Sequence, residues 1–287
     1  MPEDALSRED QWLASAIYDS AIPVDDRGLH LDALLDLADG ARFVLLGEAS
    51  HGTDEFYRER DRITRHLISE RGFHAVAVEA DWPDAHRVNQ WVRALGSDAS
   101  AIQSLGDFRR FPAWMWRNTA VVRFVSWLRE WNDRSADPSR VKAGFYGLDL
   151  YSLHASAEAV VRYLERVDPP AARRARERYE ACFGHSGSWP GTSLGLTLDC
   201  ERDVVAQLVA LQNRRAEYLH PDGAAEEDAF FFAEQNARLV RNAEEYYRTT
   251  TFSEVSSWNV RDRHMADTTA ALAAFLTQKS GLRVTGL

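Results

Sequence analysis

The sequence predicts an α/β fold with a mainly parallel β-sheet core and a large helical insertion. Two observations carry this prediction. Short apolar runs at 43–46, 74–78 and 143–148 are typical of strands, and the segments between them have the spacing of amphipathic helices. After the third strand the chain is almost wholly helical. We therefore treat 1–287 as a single domain, with the helical insertion at about 152–250.

The first part of the chain is typical of a βαβ unit. The continuous apolar run at 43–46 indicates a strand covered on both faces, as in parallel sheets. A loop with two glycines, 47–53, leads into a helix at about 54–70, and the second strand follows. Such a unit is expected to be right-handed.

The remaining elements are helices, apart from the third strand and the chain end. They are expected at 82–95, 121–131, through 157–164 with an end before Pro169, and at 171–183, 198–218, 228–248 and 259–278. The last residues, 283–287, resemble the start of a further strand that does not develop. We therefore expect the domain to be incomplete at its C-terminus.

The composition excludes several classes of protein. A formal net charge of -10 argues against nucleic acid and anionic membranes as partners, because both need a basic footprint. No apolar run reaches the roughly 18–20 residues that span a bilayer. The acidic N-terminus is not a signal peptide. Cys182 and Cys200 could be bridged, although their spacing does not require it, and no Cys/His cluster indicates a zinc site. A cytoplasmic protein without a cofactor is the expectation.

Polar side chains follow all three predicted strands. Glu48 and His51 lie just past the first strand, Glu79 past the second and Asp149 past the third. Ligands of open α/β sheets bind at the carboxyl ends of the strands. The three strand ends therefore predict one site, although each residue alone would be weak support.

Two arginines are expected on buried helix faces. Arg60 falls within the apolar stripe of the first helix and needs a carboxylate, for which Glu48 and Glu79 are the candidates. A purely structural Arg–Glu pair is the alternative, and such a pair can also orient a catalytic group. Arg261 lies on the apolar face of the last helix. His264 beside it is interpreted as an exposed helix residue, with a functional role as the alternative.

Aromatic side chains cluster near these positions. Trp82 follows Glu79 closely, and Phe111, Trp114 and Trp116 fall together. They can build a core or line a pocket for a bulky apolar ligand, and the sequence does not decide between the two.

Several segments, taken together, resemble the erythromycin esterase family. They are LGEASHG at 46–52 with Arg60 after it, VEADW at 78–82, FPAWMWRN at 111–118, GFYGLDLYSL at 144–153 and RDRHM at 261–265. The Gly-Glu-x-x-His element alone is short, but in register with the later segments it is specific. The resemblance covers nearly the whole chain from about Asp10.

The resemblance implies a carboxylic-ester hydrolase whose partner is a small ester or lactone; the family's named activity is opening of macrolide antibiotics. It implies that His51 is the general base, that Glu48 and Glu79 orient it or the water, and that Arg60 holds a carboxylate or the oxyanion. The chemistry agrees, because imidazole titrates near neutral pH and can take a proton from water. Substrate-binding roles fall to three further residues: Arg261, Trp82 and Asp149.

Two other functions stay open at this point. A metal-dependent hydrolase could hold a divalent ion with Glu48, His51 and Glu79, although no fourth ligand is obvious. A non-catalytic relative could bind a ligand or be an inactive fragment. The family's pattern continues past Leu287 into a Trp-x-His-Asn-x-His segment, and no residue here matches those histidines. We therefore expect the chain as written to be unstable and poorly active.

Overall fold

A computed structural model of the chain describes residues 7–21, 31–134, 141–183, 198–219, 224–250, 254–280 and 283–286. The chain divides into two compact units, Met1–Ala41 and Arg42–Leu287. The first unit contains α1 (Arg8–Ser20) and α2 (Leu31–Leu37). Ser7 begins α1 with a reciprocal capping box, in which its hydroxyl accepts from the Asp10 N–H and the Asp10 carboxylate accepts from the Ser7 N–H.

The second unit contains the sheet and the remaining helices. Its described strands are β1 (Phe43–Leu45), β2 (Phe73–Asp81), β3 (Gly144–Asp149) and β4 (Arg283–Gly286). Its described helices are α3 (Asp54–Arg71), α4 (Trp82–Val92), α5 (Ala101–Ser104), α6 (Thr119–Asp133), α7 (Leu153–Val167), α8 (Pro169–Phe183), α9 (Leu198–Asn213), α10 (Arg215–Tyr218), α11 (Ala224–Thr250) and α12 (Glu254–Ser280). Within the described ranges, no helix is long and apolar enough to cross a membrane.

The described strands form one parallel sheet in the order β1-β4-β2-β3. The fold is thus α/β. The described sheet is parallel but small, and the described residues are mostly helical, so a core built mainly of sheet is not confirmed. The expectation that the last strand does not develop is wrong. β4 lies between β1 and β2, with Thr285 in register with Val44 on one side and Val76 on the other. The two strands of the βαβ unit, β1 and β2, are therefore not neighbours, and β4 lies between them.

The strand β1 is less covered than its apolar sequence predicts. Phe43 is 40% exposed and Leu45 is 81% exposed. Both positions were expected to be covered, because parallel strands usually carry helices on both faces. β1 lies at the edge of the described sheet and pairs only with β4 there, which leaves these side chains accessible.

The strands β2 and β3 form the buried centre of the sheet. Residues 75–78 of β2 are 0% exposed. Opposite them, Gly147 allows a close approach, because a Cβ at this position would collide with the backbone carbonyl oxygens of Ala80 and Asp81. Just there β2 contains an irregularity: Val78 pairs with Gly147 and Asp81 with Asp149, so β2 has one extra residue. Bulges of this kind re-aim side chains next to functional sites.

The helices after β3 build the largest apolar core of the described residues. α7 packs on α8 and α11, and α11 also packs on α9 and α12. Trp82, at the start of α4, belongs to this core: it is 4% exposed and its ring contacts Tyr146, Phe231 and Phe232. The described parts of 152–250 are mostly helical, and Asn213 ends α9 earlier than expected. Cys182 and Cys200 are both free thiols.

Candidate functional site

The loop after β1 holds a three-residue group that we name the loop cluster: Glu48, His51 and Arg60. One carboxylate oxygen of Glu48 lies 2.6 Å from Nδ1 of His51, and the other accepts from Nη2 of Arg60 at 2.5 Å. The side chains of Glu48 and Arg60 are 9% and 13% exposed, whereas that of His51 is 45% exposed. Since Glu48 occupies Nδ1, Nε2 is the ring nitrogen available to take a proton.

Local backbone geometry presents His51. Gly52 has φ +85°, a left-handed conformation that favours glycine, and a Cβ there would lie 2.8 Å from the Trp114 ring. Thr53 precedes α3, whose helical spacing brings Arg60 back to Glu48. Trp114 therefore packs under the loop.

The ends of β2 and β3 meet α12 in a second group, the buried cluster: Glu79, Asp149 and Arg261. Nη2 of Arg261 donates to Glu79 at 2.5 Å and to Asp149 at 2.8 Å, and its Nε donates to Asp149 at 3.0 Å. The side chain of Asp149 is 3% exposed and that of Arg261 is 11% exposed. Two charge-assisted contacts to one carboxylate fix the guanidinium in direction as well as position.

Both clusters face one pocket of about 220 Å³, which His51 lines beside Glu79, Asp149 and Arg261. Glu48 and Arg60 do not line it; Glu48 contacts His51, which does. Arg60 instead lines a separate small apolar cavity. A larger cavity of about 310 Å³, bordered by α7 and α8, contains neither cluster.

Three charged pocket residues were missed from the sequence: Asp81, Asp84 and Arg110. Asp81 is 5% exposed and accepts from Nε of Arg110 at 3.0 Å. Burial raises the pKa of Asp81, and burial, together with the charges of Asp81 and Asp107, raises the pKa of Asp84 to about 7. Asp81 lies within VEADW and Asp84 lies two residues after it, so their closeness to Glu79 in the sequence was the available signal.

The aromatic residues divide between pocket and core. Phe111 and Trp116 line the pocket, together with Tyr151 and Trp258. The Tyr151 ring lies 4.5 Å from the Arg110 guanidinium and 5.3 Å from that of Arg261, both within cation–π range. Trp82 was expected to bind substrate, but it does not line the pocket: it begins α4, and the core described above buries it.

His264 is not the exposed residue that the helix pattern indicated. It is 3% exposed, and its Nδ1 lies 2.8 Å from Nδ2 of Asn242. Burial is the main reason that its pKa falls to about 4. The error arose because α12 is packed on both β3 and α11, which the sequence pattern of one helix does not reveal.

In the described ranges, no group of three or more His, Cys, Asp or Glu side chains is placed to hold a metal ion. Glu48 and Glu79 each have a guanidinium as their partner. One further motif, Gly-x-Ser-x-Gly at 191–195, lies outside the described residues. It falls in the part of the sequence between α8 and α9.

Comparison with known sequences identifies the family. Residues 68–284 match the sequence profile described as erythromycin esterase, which is more than half of the chain. The chain belongs to the erythromycin esterase family. One member of this family, erythromycin esterase type II of Escherichia coli, is 26% identical over 148 residues, or 50% of this chain and 32% of its own length. The chain thus spans about a third of that erythromycin esterase.

Solved structures share the fold. A succinoglycan biosynthesis protein matches with a TM-score of 0.73 and 16% identity, over 98% of this chain and 66% of its own. An erythromycin esterase mutant in its open conformation matches with a TM-score of 0.66 and 19% identity, over 89% and 62% of the two chains. At these identities the likeness shows the fold alone.

Proposed function

We propose that the chain is a hydrolase of the erythromycin esterase type, which opens an ester or macrocyclic lactone with water activated by His51. The observation that carries the proposal is the arrangement at one pocket: His51, held at Nδ1 by Glu48, lines the same cavity as Glu79. Family membership favours the same chemistry. A cytoplasmic role in macrolide resistance, with no nucleic-acid or membrane partner, belongs to this proposal.

The proton path follows from the loop cluster. Nε2 of His51 takes a proton from water as the water oxygen attacks the ester carbonyl, and Glu48 stabilises the resulting imidazolium. When the tetrahedral intermediate collapses, the C–O bond to the alcohol breaks and His51 returns the proton to that oxygen. Arg60 holds Glu48 in place. Glu79 orients the attacking water.

The developing oxyanion needs a positive partner in the pocket. Arg261 already contacts two carboxylates, whereas the side chain of Arg110 has one carboxylate partner among the described residues and is 47% exposed. Arg110 is therefore the stronger candidate for this role. Arg60, engaged by Glu48, serves the histidine instead.

The volume of the pocket limits how much of a substrate it can enclose. Its volume of about 220 Å³ is below the roughly 300–1,000 Å³ of pockets that enclose drug-sized ligands. We infer that it takes the ester group and its neighbours, while the rest of a macrolide lies outside. The lining contains four carboxylates and two guanidinium groups, a balance that suits a neutral or cationic substrate.

The test is incubation of the purified chain with erythromycin, followed by mass spectrometry for a product heavier by one water. His51→Gln should lower the rate by about two to four orders of magnitude, the usual loss when a general base is removed. Its circular dichroism and Tm should stay unchanged. His66→Gln, on the exposed side of α3 with Glu70 as its partner, is the matched control.

Two results would overturn the proposal. One is unchanged turnover in folded His51→Gln. The other is no water addition to erythromycin or to simple esters by the wild-type chain, which would favour a ligand-binding relative. Activity that a chelator abolishes and a divalent metal restores would support the metal-dependent alternative, which the guanidinium partners of Glu48 and Glu79 disfavour.

A further inference from the structure

A buried polar chain runs from α11 to the pocket and passes through His264. Its outer end is fixed by Arg241, whose Nε and Nη2 donate to Oδ1 of Asn242 at 2.9 and 2.7 Å. These two donors settle the orientation of the Asn242 amide. Its Nδ2 therefore faces Nδ1 of His264, at 2.8 Å.

The amide orientation determines the tautomer of His264. An amide NH₂ only donates, so Nδ1 of His264 accepts and the ring proton is on Nε2. The ring is neutral, in agreement with the burial that lowers its pKa to about 4. A further hydrogen bond joins the ring to the backbone of Asp149. Because Nδ1 is taken and a protonated ring nitrogen donates, we assign this bond to Nε2–H as donor and the Asp149 carbonyl oxygen as acceptor.

The carboxylate of the same Asp149 holds Arg261, and Arg261 holds Glu79. His264 and Arg261 lie one turn apart on α12, so the helix contacts both the backbone and the side chain of Asp149. This double attachment fixes the end of β3 against α12.

We propose that His264 is a positioning residue: through Asp149 it fixes Arg261 against Glu79, and so sets the direction in which Glu79 faces the water. This inference rests on the proposed hydrolase function. The competing account is that His264 only fills a buried space. The two accounts differ over the Nε2–H donor, which a space-filling residue does not need.

Two substitutions separate the donor from the volume. His264→Gln can keep an N–H close to the position of Nε2. His264→Asn places its amide near Nδ1 and loses the donor toward Asp149. His66→Asn, on the exposed side of α3, is the matched control for the second change.

The first measurement is ¹⁵N NMR of histidine- and arginine-labelled full-length chain. Wild type should show His264 protonated at Nε2 and slow solvent exchange of the Arg261 Nε–H. Exchange should stay slow in His264→Gln and become at least about tenfold faster in His264→Asn, because a looser Asp149 exposes this donor. Protonation at Nδ1, or equally slow exchange in folded His264→Asn, would overturn the proposal.

The second measurement is steady-state hydrolysis of erythromycin. His264→Asn should lower kcat by about 10- to 100-fold, the scale expected when a reacting group is misplaced by up to 1 Å, with little change in KM. His264→Gln should recover most of the loss. If kcat is unchanged in His264→Asn, the positioning role is wrong while the role of His51 stands.

The NMR measurement needs no turnover, so failure of the hydrolase proposal is distinguishable from failure of this one. If His264→Asn does not fold, Asn242→Ala replaces it, since this change frees Nδ1 without touching Asp149. Mixed His264 tautomers and faster Arg261 exchange are then expected, and a single Nε2-protonated form with slow exchange would contradict the inference.

Discussion

The loop cluster and the buried cluster face one pocket but are assembled in different ways. Arg60 reaches Glu48 across 12 positions of sequence, within one loop and the helix that follows it. Arg261 reaches Asp149 across 112 positions and Glu79 across 182, so the buried cluster forms only when β2, β3 and α12 have come together. The loop cluster thus depends on contacts between residues close in sequence, and the buried cluster depends on the tertiary fold.

Exposure follows the same division. His51 is nearly half exposed, whereas Asp149 is almost completely buried. Electrostatic interactions are stronger where water is excluded, and an uncompensated charge costs more there. The difference teaches that the proposed base lies on a part-exposed segment held by local contacts, while Glu79 is held by Arg261, which reaches it from a distant helix.

The largest expected effect is the removal of Arg261. Arg261→Met leaves the buried Asp149 without its ion-pair partner, which should lower the free energy of unfolding by about 3–5 kcal/mol. Arg60→Met should cost clearly less, because Glu48 keeps His51 as a partner. Urea denaturation of both variants measures the difference. Equal losses would contradict the distinction between the clusters.

The second effect tests the sheet under the buried cluster. Gly147→Ala would press a methyl group against the Ala80 and Asp81 carbonyl oxygens, beside the extra residue of β2. Overpacking of this kind costs about 1–3 kcal/mol. We expect a lower denaturation midpoint and a weaker Glu79–Arg261 contact. An unchanged midpoint would show that β2 and β3 can move apart at Gly147 without a loss of stability.

The contrast also explains which parts of the site could be predicted. Glu48, His51 and Arg60 are recognisable because a loop position and the spacing of a helix can be seen in one short stretch of sequence. Arg261 could be placed on a buried face, but its partners could not be chosen, since several carboxylates lie at strand ends. The contacts of His264 depend on the packing of α11 against α12, which no single-helix pattern contains.

The fold shows the same limit. Most helices from α3 onward and the first three strands were predicted close to their observed positions, because each has its own periodicity or apolar run, whereas α1, α2 and the short α5 were not predicted. β4 was misjudged, since a four-residue strand in the middle of a sheet is stabilised by its neighbours on both sides rather than by its own sequence. The exposure of Phe43 and Leu45 likewise depends on what lies beside β1.

A smaller effect tests the loop cluster. Gly52→Ala forces a positive φ on alanine, at about 1–2 kcal/mol, and pushes against Trp114. Gly72→Ala has a similar φ of +70° with nothing within 4 Å, so it is the matched control. Both should lose stability in thermal unfolding, Gly52→Ala more because of the Trp114 contact, but only Gly52→Ala should also lower turnover, because it moves His51. Equal turnover in the two variants would separate the loop geometry from catalysis.

The smallest effect concerns the free-energy cost of ionising Asp84 on the buried side of the pocket. Burial raises the pKa of Asp84 to about 7, against about 3.9 in an unfolded chain. As pH rises from about 4 to 7, the unfolded state releases this proton first, so the folded state loses stability through that window and no more above it.

Asp84→Asn removes this titration. Because Asp84 is only part-buried and asparagine keeps a polar group there, the variant should recover only a small part of this linkage free energy. We expect Tm to change little at pH 4 and to rise by a few degrees at pH 8, on a scale of about 2–4 °C per kcal/mol for chains near this size. Asp98→Asn is the control of opposite sign, because Arg87 lowers the pKa of Asp98. Asp98→Asn should be less stable than wild type at pH 8, and this difference should disappear as pH falls below 4. If Asp84→Asn raises Tm by the same amount at pH 4 and pH 8, the gain comes from packing and not from removing the charge of Asp84. The buried side of the pocket would then not differ from the loop cluster in the free-energy cost of charge.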